Sequence, residues 1–162
     1  MNRTEITASL SELVRKRLEN RSIFWAAEVN LDAHKKRVDF VGFNPSKNGN
    51  FANIAEIESG TFDFYEVKSS MADFNSGHGK NWEGDHNYLV CERELADKLY
   101  KNRLLPNNVD VICPNKPRTG LIKVYSTHWI SGRTKAASEL LWCMICSRDA
   151  RYIKRMEEMK NE

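Results

Sequence analysis

Arg37-Val38-Asp39-Phe40-Val41 and, further along, Phe62-Asp63-Phe64-Tyr65-Glu66-Val67-Lys68 are the two stretches that decide the fold. Both are rich in β-branched and aromatic residues and contain neither proline nor glycine, which marks them as strands. Side chains of a strand alternate between its faces, so Glu66 and Lys68 share one face, with Phe62 and Phe64 below them. Pairing of the Asp39 strand with this one brings two carboxylates and an ammonium together. That group set can hold a divalent cation and polarise a water beside it.

Upstream, Ile23, Trp25, Ala27, Val29 and Leu31 alternate with Phe24, Ala26, Glu28 and Asn30, so residues 23–31 read as another strand with the first set on one face. The polar turn Asp32-Ala33-His34-Lys35-Lys36 joins it to the Asp39 strand as a hairpin. Before the hairpin, Ile6, Leu10, Leu13, Val14, Leu18 and the stem of Arg17 repeat at helical spacing, which predicts a helix capped by Thr4 and running to about Asn20. Asn44 to Asn50 breaks the pattern ahead of a third strand at residues 61–69. Residues 71–85, rich in Gly, His, Asn and Lys, read as a loop with at most a short helix. A strand at 86–91, a helix at 92–102, and strands at 109–113 and 121–126 follow. From about Arg133 helical periodicity returns through Ala136, Leu140, Leu141, Met144 and Ile145, ending in a charged tail around Arg151 to Glu162. The order predicts a mixed sheet with helices on its faces. Residues 1–130 form the α/β core, and 131–162 a C-terminal helical extension packed on the same domain.

A chain of 162 residues has room for one domain with a real core. Lysine and arginine exceed aspartate and glutamate by 25 to 22, an excess too mild to identify a nucleic-acid binder by itself. No run approaches the roughly 18 apolar residues that span a bilayer, and the N-terminus lacks the apolar core of a signal peptide. The expectation is a cytoplasmic protein with no membrane partner and with its four cysteines free. Cys143 and Cys146 form a C-x-x-C, but no second Cys or His pair follows, and their neighbours read as helix core.

Asp39, followed on the next strand by Glu66-x-Lys68 and preceded by a helix and a hairpin, resembles the PD-(D/E)-x-K nuclease superfamily with its restriction-endonuclease-like fold. The resemblance spans roughly Thr4 to Val124. Glu28, Arg37-Val38-Asp39, Glu66-Val67-Lys68-Ser69-Ser70 and Asp73-Phe74 look like a small bacterial and phage branch associated with DNA repair. Gly77 to Trp82, Gly84 and Asn87 to Val90 look like a phage-type version of the segment after the motif. Val38 stands where the name-giving proline would be. The resemblance implies an αβββαβ-type core, a metal-dependent deoxyribonuclease, and a metal ligand in the Val67 carbonyl. A catalytically inactive DNA-binding or protein-interaction module on the same fold is the alternative.

The chemistry can be stated without the name. Phosphodiester hydrolysis needs a cation near the non-bridging oxygen and an activated water in line with the leaving group. Asp39 and Glu66 offer hard oxygen ligands suited to Mg²⁺ or Mn²⁺. Lys68 would orient or help deprotonate the water. Among candidates for a further acid, Glu12 and Glu19 lie opposite the apolar stripe of the first helix, which leaves Glu28, placed to align beside Asp39 across the hairpin. Contact with DNA is expected from Arg37 in the basic turn and from Ser69, Asp73, His78, Lys80, Asn81, Trp82, Asn87 and Tyr88, which combine hydrogen-bonding groups with aromatics able to stack on a base. His78, Asn81 and His86 are too compressed for a His-Asn-His nuclease frame. The amphipathic C-terminal segment can pack on its own core or on a second copy, so a homodimer fits the sequence as well as a monomer.

Overall fold

The computed structural model describes residues 1–46, 53–127 and 132–160. Part of the break at Asn44–Asn50 and the last two residues of the charged tail lie outside the described residues. The chain opens with α1 (Arg3–Arg21), whose cap is Asn2 rather than the expected Thr4. The Asn2 side chain accepts from Glu5 N at 3.0 Å, and the Glu5 carboxylate accepts from Asn2 N at 2.8 Å. This reciprocal box satisfies two N–H groups at once, which Thr4 within the first turn cannot do. The predicted apolar stripe is buried as Leu10, Leu13, Val14 and Leu18.

Strands β1 (Phe24–Leu31) and β2 (Lys36–Asn44) form the expected antiparallel hairpin, and β3 (Thr61–Val67) adds antiparallel to β2. A short helix α2 (Ile54–Glu58), not anticipated, precedes β3, and α3 (Met71–Asn75) follows it. Strand β4 (His86–Val90) runs parallel to β3; helix α4 (Arg93–Lys101) then leads to β5 (Asp110–Pro114), parallel to β4, and β6 (Leu121–Tyr125) closes the series antiparallel. The six strands stand in sequence order in one mixed sheet. Two helices, α5 (Ala137–Arg148) and α6 (Ala150–Lys160), end the chain, so the charged tail is largely helical.

Helices cover both faces. Helix α1 packs on Phe40, Tyr65, Val67, Val90 and Ile112. On the other face α5 buries Ala137, Leu140 and Met144 against Val29, Val41, Phe62 and Phe64, while α4 covers Leu89, Val111 and Cys113. All four cysteines are free. No described helix is long and apolar enough to cross a membrane.

One sequence expectation fails in an informative way. Trp25 and Ala27 pack on the α1 side, as the alternation implies, but Val29 and Leu31 belong to the α5 side with Ala26. Between the two sets stands Glu28 with φ 54°. A non-glycine residue in the left-handed region breaks the pleat, so the strand changes face there. Opposite it, Val38 and Val41 both face α5 while Phe40 faces α1, so β2 changes face at Asp39 too.

Candidate active site

The irregularity in the hairpin is what frees Asp39 to act as more than a sheet residue. Regular pairing of β2 with β3 reaches Phe40 opposite Tyr65 and stops. Beyond that point the Asp39 carboxylate enters between the strands, and its Oδ2 accepts from Val67 N at 2.8 Å. A side chain thus takes the N–H that a ladder would otherwise use.

Glu66 lies on the Phe62 and Phe64 face and is fully buried. Among the described residues its oxygens meet no hydrogen bond of regular geometry, but Asp39 and the Asn81 N–H lie close enough to act on it. Burial, and next the charge of Asp39, push the Glu66 carboxyl up to about 9, against the pull of Lys68. Burial also raises Asp39, opposed by the Val67 N–H and by Lys68. Two sheltered acids side by side form a site short of positive charge.

Lys68 does not supply all of it. Its Nζ donates to the His78 carbonyl at 2.6 Å and stands 4.0 Å from Asp73 Oδ1. Asp73 is held in turn by Ser69 N and Oγ, at 3.0 and 3.1 Å, and by Arg3 at 3.1 Å. Ser70 caps α3 by accepting from Asp73 N, so the residues after the motif form a rigid corner under the lysine. Over the acids runs the loop through Gly77 and Gly79, at φ 79° and 62°. A Cβ on Gly79 would stand 2.6 Å from Glu66 Oε2, so only glycine lets the backbone lie this close. Asn81 pins the loop by donating to the Arg37 carbonyl at 2.7 Å.

A cleft of about 730 Å³ opens beside these groups. Asp39, Val67 and Lys68 line it, with Asp73, His78 and Asn81 on one lip. Glu28 and Arg37 also line it, but they bind each other at 2.9 Å with both side chains largely exposed. Glu28 does stand opposite Asp39 across the hairpin, between the Ala27–Phe40 and Val29–Val38 pairs, and burial, then the pull of Arg37 against the charge of Asp39, act on its carboxyl, which is raised. Among the described residues no group of three or more His, Cys, Asp or Glu side chains is set to hold a metal. The set that fits a divalent cation is the Asp39 and Glu66 carboxylates, with the backbone at Val67 beside them; the buried oxygens of Glu66 are what a hard cation would satisfy.

The remaining expected contacts are held elsewhere. Asn87 is buried, accepting from Gly84 N at 2.9 Å and donating toward Gly84 O and Asn108 O at 3.3 Å, so it braces the loop from within. Tyr88 stacks on Tyr65 at 4.8 Å within the cluster under α1. Lys80 Nζ lies 4.0 Å from the centre of the Phe74 ring, and Trp82 packs against the α4 cluster. Conversely, sequence reading passed over Arg3, Thr7, Ser11 and Arg15 of α1, which line the cleft. Their four-residue spacing beside the apolar stripe was the available signal.

The fold and site define an α/β protein with a six-stranded mixed sheet between helices and an acidic pair where β2 and β3 part. Along nearly its whole length the chain is similar to a solved structure, a protein of unknown function from Silicibacter pomeroyi, at 18% identity and a TM-score of 0.61, covering 97% of this chain and 94% of that one. At that identity the likeness is one of fold. No protein-family model matches the chain, and no curated protein matches it.

Proposed function

We propose that this chain is a metal-dependent deoxyribonuclease with the restriction-endonuclease-like fold, hydrolysing DNA phosphodiester bonds in phage or bacterial repair, recombination or processing. The observation that carries the reading is the fully buried Glu66 carboxyl pressed against Asp39, with Lys68 next to the pair. Two sheltered carboxyls in contact, one of them held far above its usual range, form a pattern typical of functional sites. Mg²⁺ or Mn²⁺, held by Asp39, Glu66 and the Val67 carbonyl, would neutralise charge on the phosphate and favour hydroxide.

The protein's own part follows from the geometry. Lys68 has a single backbone acceptor, His78 O, so its other two N–H bonds can orient the attacking water. The water oxygen forms the new P–O bond, the bond to the leaving sugar oxygen breaks, and the proton ends on that oxygen. Asp73, held by Ser69 and Arg3, keeps the ammonium in place.

A second reading is supported by a specific observation. With no group of three or more metal-ligating side chains among the described residues, and with Glu28 ion-paired to Arg37, the fold also suits a non-catalytic DNA-binding module. The deciding experiment incubates single-stranded, duplex, flap and four-way DNA with Mg²⁺ or Mn²⁺. Cleavage lost in Asp39→Asn and Glu66→Gln supports the nuclease. Four intact substrates with both ions leave the binding module.

A further inference from the structure

The charge of the cleft differs from that of the chain. Across the sequence, basic and acidic residues stand at 25 to 22. Among the residues lining the cleft, six are Lys or Arg (Arg3, Arg15, Lys35, Lys36, Arg37, Lys68) and three are Asp or Glu (Glu28, Asp39, Asp73). Glu12, Asp32 and Glu83, behind the lining, offset part of that excess through Arg15 and Lys36, and the remaining cations of a concave site attract a polyanion.

Two of the cations share one wall with two hydroxyls. Arg3, Thr7, Ser11 and Arg15 follow each other every four residues on α1, which sets them about 6 Å apart along the helix axis. Such a ladder of donors suits the repeating phosphates of an extended strand. Arg3 is engaged with Asp73 at 3.1 Å, but the ion pair at the other end of the row is a weak one. Arg15 lies 3.6 Å from Glu12, with side chains 45% and 76% exposed, and its guanidinium sits 5.4 Å over the Phe40 ring. A solvent-screened pair of this kind gives way readily to a phosphate.

Size selects the strand. About 730 Å³ lies within the range of about 300–1,000 Å³ that holds one small molecule, enough for a few nucleotides and too little for a segment of duplex. Asp39 and Lys68 line it, and Glu66, next to the lining residues Val67 and Gly79, is wholly buried. An unpaired strand can bend in toward Asp39 and Lys68, whereas a duplex keeps its phosphates outside. We infer that the cleft is a single-strand track: the α1 face carries the backbone of unpaired DNA and sets the preference for it over duplex. This deepens the nuclease reading, since it names the substrate of that site.

Fluorescence anisotropy in EDTA, with labelled oligothymidylate and a blunt duplex of the same length, separates binding from cutting. The wild-type chain should bind the single strand about tenfold or more tightly than the duplex, and Arg15→Glu and Ser11→Glu should each weaken it about tenfold. Ser11→Lys should tighten binding, which a folding defect cannot imitate. Arg15→Ala should lower the slope of log affinity against log salt by about 0.7. Equal or tighter binding of duplex, or all three charge variants binding like wild type, overturns the track. Single-strand preference in a chain that cuts nothing upholds the track and removes the nuclease. Cutting without that preference does the reverse.

Discussion

Each end of β3 has a carboxylate on a strand N–H, and the two differ in what completes them. At the start, Asp85 Oδ2 accepts from Phe62 N and from Arg133 Nη1, both at 2.8 Å. Arg133 also donates to the carbonyls of Gly60 and Glu58 and lies 5.2 Å over the Phe62 ring. At the finish, Asp39 takes Val67 N and lies against the second carboxyl of Glu66, and among the described residues no arginine donates a hydrogen bond to Asp39. The first arrangement is closed and ties α5's leading segment to the sheet. The second is left open, as a site awaiting a cation and a phosphate would be.

The sharpest way to break this comparison is at Lys68. Lys68→Met keeps the buried stem and removes the charge, and single-turnover cleavage should fall by about 10²–10⁴-fold. A rate equal to wild type would sink the assigned role. Next in size is the closed end. Arg133→Ala strands four acceptors, on Glu58, Gly60, Asp85 and Lys135, and should cost about 2–3 kcal/mol in urea unfolding while cleavage per folded molecule is kept. A loss below about 0.5 kcal/mol would show that the arginine is merely a surface contact.

The open end should also show in pH. The buried Glu66 carboxyl is raised to about 9. An unfolded glutamate titrates near about 4.3. Between these values the folded chain keeps a proton that the unfolded chain has released, so stability is full below the lower value and falls as pH rises through the upper one. The slope reaches at most about 1.4 kcal/mol per pH unit. In EDTA, the thermal midpoint of wild type should therefore fall towards alkaline pH more steeply than that of Glu66→Gln. Identical profiles would mean that the carboxylate is not sheltered as described.

Much of this contrast was legible in the sequence, and the reasons are specific. Period-two runs placed β1, β2 and β3, and the single-residue spacing of Glu66 and Lys68 put both on the Phe64 face. The change of face at Glu28 was not legible, because a left-handed non-glycine residue leaves no mark in a hydrophobic pattern. Glu28, the expected further acid, stands opposite Asp39 as the hairpin pairing implied, but its ion pair with Arg37 was not foreseen. Tyr88 and Asn87 were read as contacts from their chemistry, but their roles depend on which face β4 turns to α1 and on where the Gly84 backbone passes. Those are tertiary facts. The wall of α1 was written in the sequence at positions 3, 7, 11 and 15, yet the apolar stripe beside it drew the reading toward burial alone.

The smallest effect isolates the loop over the open end. Gly77 and Gly79 both have positive φ, but a Cβ at Gly77 meets nothing within 4 Å, while one at Gly79 falls 2.6 Å from Glu66 Oε2 and 3.3 Å from Lys68 Nζ. Gly77→Ala should therefore cost only the backbone strain, about 1 kcal/mol. Gly79→Ala carries that strain plus the clash, and should cost about 1 kcal/mol more. Shortening the acid as well, in Gly79→Ala with Glu66→Ala, removes the clash but not the strain, so the added loss should disappear in a double-mutant cycle. Equal losses for the two glycines, with no coupling to Glu66, would mean that the loop does not rest on the acid, and that the burial of Glu66 needs another cause.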